Sequence, residues 1–252
     1  MIAMPNSKAR PLVLEPQRGG DPCLHCGARA YSVCNAIESK DLERLAALAV
    51  PLAVAPGRGF IAEGDPAEHF FNVTVGTAKL YKLLPDGRRA ITGFAGPGHF
   101  LGLAVSTSYS FSAEAIDPMR VCRFSRSKLR GLLDDFPAME KRLLEVASNE
   151  LVAAQEQMLL LGRKTARERL ASFLIDRAVA PSRCLGHDPA MAESVTLPMT
   201  RNDVADYLGL TIETVSRTFT RLKGEGLIDI PSPAHIVIRR HDALEGIATG
   251  LA

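Results

Sequence analysis

Three cysteines, Cys23, Cys26 and Cys34, stand in the pattern C-x2-C-x7-C near the start of the chain, and a fourth, Cys122, lies far along it in the β-prone run RVCRF. Thiolates are soft ligands. Four of them can hold a 4Fe–4S cluster or a zinc ion, and the tight first pair fits either. A C-x2-C pair alone does not decide between them, and reversible thiol oxidation is a third use of the same residues. His25 sits inside the loop, where an imidazole more often faces solvent, and is not assigned as a ligand. Cys184, the fifth cysteine of the chain, reads as an ordinary buried thiol.

The second group with chemistry lies near the other end, in TRNDVADYLGLTIETVSRTFTRLKGEGLI. Thr200 can cap a helix from Arg201 to Leu208, Gly209 supplies a left-handed turn, and Thr211 can cap a second helix from Ile212 to about Lys223. Val215, Phe219 and Leu222 recur at helical spacing and are expected inside. That arrangement is a helix-turn-helix, which lays its second helix in the DNA major groove. The outward face then offers Glu213, Ser216 and Arg217 for base edges. Arg217 suits guanine O6 and N7, Glu213 can accept from cytosine N4, and Ser216 can donate or accept. Thr200, Arg201, Thr211, Arg221 and Lys223 are expected at phosphates, which set register without reading sequence.

Both groups need scaffolding. Residues 1–20 show no apolar period and read as a flexible leader, followed by the cysteine-rich loop at 21–37. From Glu38 to Val50 the spacing of Leu42, Leu45, Ala46 and Leu48 predicts a short helix stopped by Pro51. FFNVTV, KLYKLL, RAITGF and RVCRF, separated by glycine turns, predict an antiparallel β-roll across 38–126. The pattern then turns helical. Pro137 suits the first turn of a long helix, assigned within 127–162, along which Leu144, Ala147, Leu151, Ala154, Met158 and Leu161 form a heptad seam. A second row, Leu143, Val146 and Leu160, is expected to pack on the roll, leaving the seam for a second copy of the chain. Residues 163–252 form the DNA-binding unit, with a link from Ala180 to Glu193 and a closing two-stranded hairpin.

The chain has 252 residues, enough for two folded units, with 46% hydrophobic and 23% charged residues and a net charge of +2. That charge is too small to announce a nucleic-acid binder, so the DNA reading rests on local arrangement. No apolar run is long enough to span a membrane, and the first twenty residues lack a signal-peptide core. A cytoplasmic location without membrane partners is expected. No Gly-rich phosphate loop, His-Glu-x-x-His or Gly-x-Ser-x-Gly is present, and no enzyme is expected.

The segment RNDVADYLGLTIETVSRTFTRLKGEGLI resembles the DNA-binding part of the CRP/FNR superfamily of bacterial transcription regulators, and the order of roll, long helix and helix-turn-helix resembles the whole architecture. The resemblance implies an α+β fold: a jelly roll like a cyclic-nucleotide-binding domain, a dimerisation helix and a winged helix-turn-helix. The Glu213–Arg217 run looks like the FNR subgroup. In that subgroup the matching Glu, Ser and Arg read TTGAT-type half-sites of an inverted repeat as a homodimer, which acts with RNA polymerase. It also implies Cys23, Cys26, Cys34 and Cys122 as ligands of an oxygen-labile 4Fe–4S cluster, with a longer gap before the third cysteine than in the enterobacterial pattern. No cyclic nucleotide is expected, because GHFLGLAVSTSYSFSAEAID lacks the Gly-Glu opening and the Arg-Ser pair that would neutralise a cyclic phosphate.

Overall fold

Strands form where β-branched and aromatic residues alternate with small or polar ones between turns. In the computed structural model, which describes residues 23–103, 107–185 and 193–251, the roll follows this rule. Its strands are β1 Ala49–Val54, β2 Gly59–Ile61, β3 His69–Val75, β4 Ala78–Leu83, β5 Arg89–Ala95, β6 Phe100–Leu101, β7 Ser112–Ala115 and β8 Met119–Ser125. They pair antiparallel in two four-stranded sheets, ordered β1-β8-β3-β6 and β2-β7-β4-β5. Leu52, Val54, Phe71, Val73, Met119 and Val121 line the space between the sheets. The two-residue period of a strand sends their neighbours Phe70, Asn72, Cys122 and Phe124 to the outer face of the first sheet.

That outer face is roofed by helices. Before β1 a short helix α1 spans Leu42–Ala46, and after β8 come α2 Arg126–Asp135 and α3 Pro137–Arg163. Val33, Ile37, Leu42, Leu45, Phe100, Phe124, Leu129 and Met139 make one core there, with Leu143 and Val146 of α3 packed against it. Pro137 occupies the first turn of α3, where its missing N–H costs nothing.

Beyond α3 the chain runs through α4 Ala166–Leu185, β9 Ser194–Thr196, α5 Arg201–Leu208, α6 Ile212–Gly224, β10 Ile228–Ser232, β11 His235–Ile238 and α7 His241–Thr249. The core of this unit includes Leu170, Leu174, Val204, Leu208, Val215, Phe219, Leu222 and Ile236. Among the described residues no helix is long and apolar enough to cross a membrane.

Several expectations need correction. The helix foreseen from Glu38 to Val50 ends at Ala46, and Ala49 already begins β1. Pro51 lies inside that strand, which tolerates it because β1 is a sheet edge. The helical stretch 127–162 is two helices, broken at Phe136 before Pro137, since the residue before proline avoids helical geometry. The link placed at Ala180 begins later, because α4 continues to Leu185. The closing hairpin gains a third strand, in the order β10-β11-β9, and α7 follows it. The flexible leader, residues 1–20, lies outside the described residues.

The two units are joined by charge as well as by apolar contact. Lys79 Nζ lies 2.9 Å from Glu114 Oε1 and 3.3 Å from Asp203 Oδ1. Arg89 Nη2 reaches Asp203 Oδ1 at 2.8 Å and Asp206 Oδ2 at 2.7 Å. Phe94 of β5 packs beside them against Tyr207 and Phe173, at 5.3 and 6.4 Å between ring centroids. Buried ion pairs add little net stability because desolvation offsets their attraction, but removing one partner strands the other. Their effect is to fix where α5 sits on the roll. Burial alone would raise the Asp203 carboxyl, but hydrogen bonds from Thr200 and the nearby Lys79 ammonium outweigh it and hold the group below its ordinary value. A carboxyl with a lowered folded pKa stabilises the fold above its unfolded value of about 3.9 and loses that contribution as pH falls through the folded one. Asp203→Ala should therefore cost about 3–5 kcal/mol in urea unfolding at pH 7. The gap should close as the pH falls below about 4. A gap that persists unchanged at pH 2 would contradict this account.

Candidate functional site

Cys122 faces outward from β8, opposite Asn72 on β3 and Pro51 on β1. The loop that covers it folds through two 3-10 turns, Arg29–Tyr31 and Val33–Ala36, the second carrying Cys34. Ser32 caps that second turn by accepting from Cys34 N at 3.2 Å, the role expected of a serine at a helix start. The loop is seated on the turn before β6. Gly98 has φ +93, and a Cβ there would stand 2.6 Å from Tyr31 Cβ, so only glycine lets the loop approach this closely.

Seated in this way, Cys23, Cys26, Cys34 and Cys122 line one small cavity together with Arg29, Asn72 and Phe124. The pairing foreseen between the loop and the distant strand is therefore present in space. Among the described residues no three His, Cys, Asp or Glu side chains are spaced to share a single metal ion. Burial pushes the Cys122 thiol up to about 12, helped by the neighbouring cysteines, and burial also raises Cys34. Asn72 Nδ2 points at Cys34 Sγ from 4.0 Å. Asn72 Oδ1 and Arg29 Nε are buried without hydrogen-bond partners in the structure. A cavity walled by four cysteines, with the unsatisfied Arg29 donor beside it, fits a thiolate-bound inorganic group, whose sulfurs can accept from a buried N–H that otherwise lacks a partner. His25, exposed in the same loop, is not among the lining residues.

The reading head is built by capping. Thr200 Oγ1 accepts from Asp203 N at 3.1 Å while Asp203 Oδ2 accepts from Thr200 N at 3.1 Å, a reciprocal capping box at the start of α5. Gly209 ends α5 in the left-handed region, φ +62. Thr211 Oγ1 accepts from Thr214 N at 3.2 Å and opens α6. Val215, Phe219 and Leu222 are buried, whereas Glu213, Ser216 and Arg217 are exposed together on the opposite face. Its own free N–H and the Thr211 hydroxyl hold the Glu213 carboxyl below its ordinary value, so it is an acceptor at neutral pH. Thr218, where an apolar residue is common, satisfies its hydroxyl on Thr214 O at 2.7 Å.

The residues expected at phosphates are less free than their charge suggests. Arg201 stacks its guanidinium over Phe219, 3.4 Å from the ring centroid. Arg221 Nε bonds Glu225 Oε1 at 2.9 Å, and Lys223 Nζ lies 3.9 Å from Asp229 Oδ1. Thr200 and Thr211 are exposed but occupied in capping. Along α3, Leu143 and Val146 are half-buried against the roll-side core as expected. Leu160, expected there too, is buried instead in the core of the DNA-binding unit, with Leu170 and Leu208, because it lies near the end of α3 where the chain turns into α4. Leu144, Leu151, Met158 and Leu161 are 68, 61, 69 and 41% exposed, and Ala147 and Ala154 are exposed as well. Sequence reasoning missed the Lys79, Arg89, Asp203 and Asp206 network. Asp203 carried a local signal, as a helix-start carboxylate, and nothing in the sequence tied it to a roll more than a hundred residues away.

Residues 168–247 match the Crp-like helix-turn-helix domain family and residues 51–136 the cyclic nucleotide-binding domain family. The chain is 43% identical over 222 residues to the transcriptional activatory protein AadR of Rhodopseudomonas palustris, covering 87% of this chain and 91% of that protein. It is 41% identical over 221 residues to the nitrogen fixation regulation protein FixK of Bradyrhizobium diazoefficiens, covering 88 and 92%. The solved structure of FixK2 from Bradyrhizobium japonicum superposes with a TM-score of 0.71 at 37% identity, covering 79% of this chain and 96% of that one. These relatives are transcription regulators, in keeping with the expectation of no enzyme.

Thiol reactivity reports the cysteine cavity directly. At pH 8 in iron-free, reduced protein, Cys122 should alkylate on the order of a thousandfold more slowly than in urea, because its thiolate fraction falls tenfold per pH unit between pH and pKa. Equal labelling of folded and unfolded chains, followed by mass spectrometry, would contradict the burial described.

Proposed function

Since the chain belongs to the CRP/FNR superfamily of DNA-binding transcription regulators, we propose that it binds an inverted-repeat operator as a homodimer and couples that binding to oxygen through a 4Fe–4S cluster. Cys23, Cys26, Cys34 and Cys122 would hold the cluster, and the supporting observation is where they lie. Cys34 and Cys122 belong to the same apolar core as Leu143 and Val146 of α3. A bound cluster supplies reactivity toward oxygen, which converts or dismantles it. The chain's own part is mechanical. Thiolates from the loop and from β8, held on one centre, keep the loop against Gly98 and thereby fix the surface on which α3 lies. The seam from Leu144 to Leu161 is then presented in one orientation to a second copy. Only a dimer engages both half-sites, so a modest loss of association becomes a large loss of operator affinity.

On each half-site, of the TTGAT type, Glu213, Ser216 and Arg217 read bases while Thr200, Arg201, Thr211, Arg221 and Lys223 approach phosphates. Arg221 and Lys223 must exchange their intramolecular carboxylates for phosphates to do so. RNA polymerase is the protein partner in this reading, the cytoplasm its place, and no cyclic nucleotide is required: the roll retains that domain's fold while 98–117 lacks the phosphate-binding Arg-Ser pair.

Purification without air tests the sensing half. Brown protein with iron and acid-labile sulfide in equal amounts, lost in Cys122→Ala, is expected, and air should sharply weaken operator binding. Colourless zinc-bearing protein would favour a thiolate-zinc or thiol-redox switch, and equal operator binding before and after air would overturn oxygen coupling. For the reading face, Arg217→Ala should lose about 1–3 kcal/mol on the matched operator and relax selectivity at one base pair. Lys223→Ala should weaken all sequences alike. A uniform loss from Arg217→Ala would remove it from base readout.

A further inference from the structure

The carbonyl ends of two helices converge on one side chain. Arg169, in the first turn of α4, donates from Nη2 to Leu161 O at 2.9 Å and from Nε to Lys164 O at 2.8 Å, both at the end of α3. From Nη1 it donates to Leu208 O at 2.9 Å and reaches Gly209 O at 3.5 Å, at the end of α5. The last carbonyls of a helix lack internal partners and carry the negative end of its dipole. A planar guanidinium can satisfy several such groups in fixed directions, which an ammonium cannot. Two further contacts join the same parts. Gln157 Nε2 donates to Tyr207 O at 2.9 Å, and a Cβ on Gly209 would stand 3.2 Å from Leu161 Cδ2.

Leu161 is the last residue of the exposed seam, and Gly209 is the turn between α5 and the reading helix α6. The end of the dimerisation helix and the turn of the reading head are therefore bonded to one guanidinium. We propose that Arg169 is a positioning residue that sets the half-site spacing the protein accepts. In a two-fold pair, the separation of the two α6 helices follows from the angle at which each head leaves its seam. Half-sites lie about one helical turn, 34–36 Å, apart, and one base pair changes that by about 3.4 Å. A head that can swing by that distance stops discriminating between spacings, although each half-site is still read. This inference rests on the homodimer reading above.

The test uses the full chain purified without air. Affinity is measured for operators with the matched spacing, with one base pair added and with one removed, and for a duplex carrying a single half-site. Wild type should prefer the matched operator at least tenfold over either altered one. Arg169→Lys keeps the charge but loses the fork, and should flatten that preference to about twofold or less while single half-site affinity stays unchanged and thermal unfolding stays cooperative. A wild-type preference retained in Arg169→Lys overturns the proposal. So does a loss shared equally by every operator and by the half-site, which would mark a merely structural role. Should Arg169→Lys fail to fold, Gln157→Ala is read the same way: a flattened preference supports the proposal and an unchanged one overturns it. Absence of any spacing preference in wild type would instead refute the homodimer reading and leaves no spacing for Arg169 to set.

Discussion

Helix α3 carries two apolar rows, and one chain can bury only one of them. Leu143, Val146 and Leu160 find partners within the molecule, whereas Leu144, Leu151 and Met158 stand mostly in water. At roughly 25 cal/mol per Å² of apolar surface, leaving three such side chains exposed forfeits several kcal/mol that a second helix can recover. The buried positions decide how the exposed row is aimed: Leu143 and Val146 rest on the core that holds Cys34 and Cys122, whereas Leu160 is held in the core of the DNA-binding unit. The cysteine-bearing core and the exposed apolar row thus lie on two faces of one helix.

The far end of the same helix meets the reading head. α5 is held from below by Lys79 and Arg89 of the roll and from the side by Arg169 and Gln157. Its own start is locked by the Thr200 and Asp203 box. Asp203 serves twice, capping α5 and accepting from the roll, so the local and long-range demands on that carboxylate agree. Such agreement ties α5 both to the roll and to the end of α3 through bonded and packed contacts.

Features governed by near neighbours were legible in the sequence. Thr200, Gly209 and Thr211 punctuate the helix-turn-helix through bonds to residues within a few positions, and glycine turns divided the strand-forming runs correctly. The two rows of α3 followed from period alone. What escaped depended on context. Pro51 reads as a helix stop until β1 is known to be an edge, and the short strand β9 gains its place only by pairing with β11. Ion pairs such as Arg89 with Asp203 and Asp206 join positions whose separation leaves no periodic trace. The convergence of Cys122 with the loop cysteines was legible only through family resemblance, because no spacing connects a strand residue to a loop nearly ninety positions earlier.

Sedimentation of the full chain, prepared without air and then compared at equal concentration after exposure to it, tests most directly whether the cysteine site governs the seam. The account predicts a dimer that dissociates toward monomer on exposure, and no such change in a variant whose Cys122 is already replaced. Identical association in both states of the unmodified chain would contradict it.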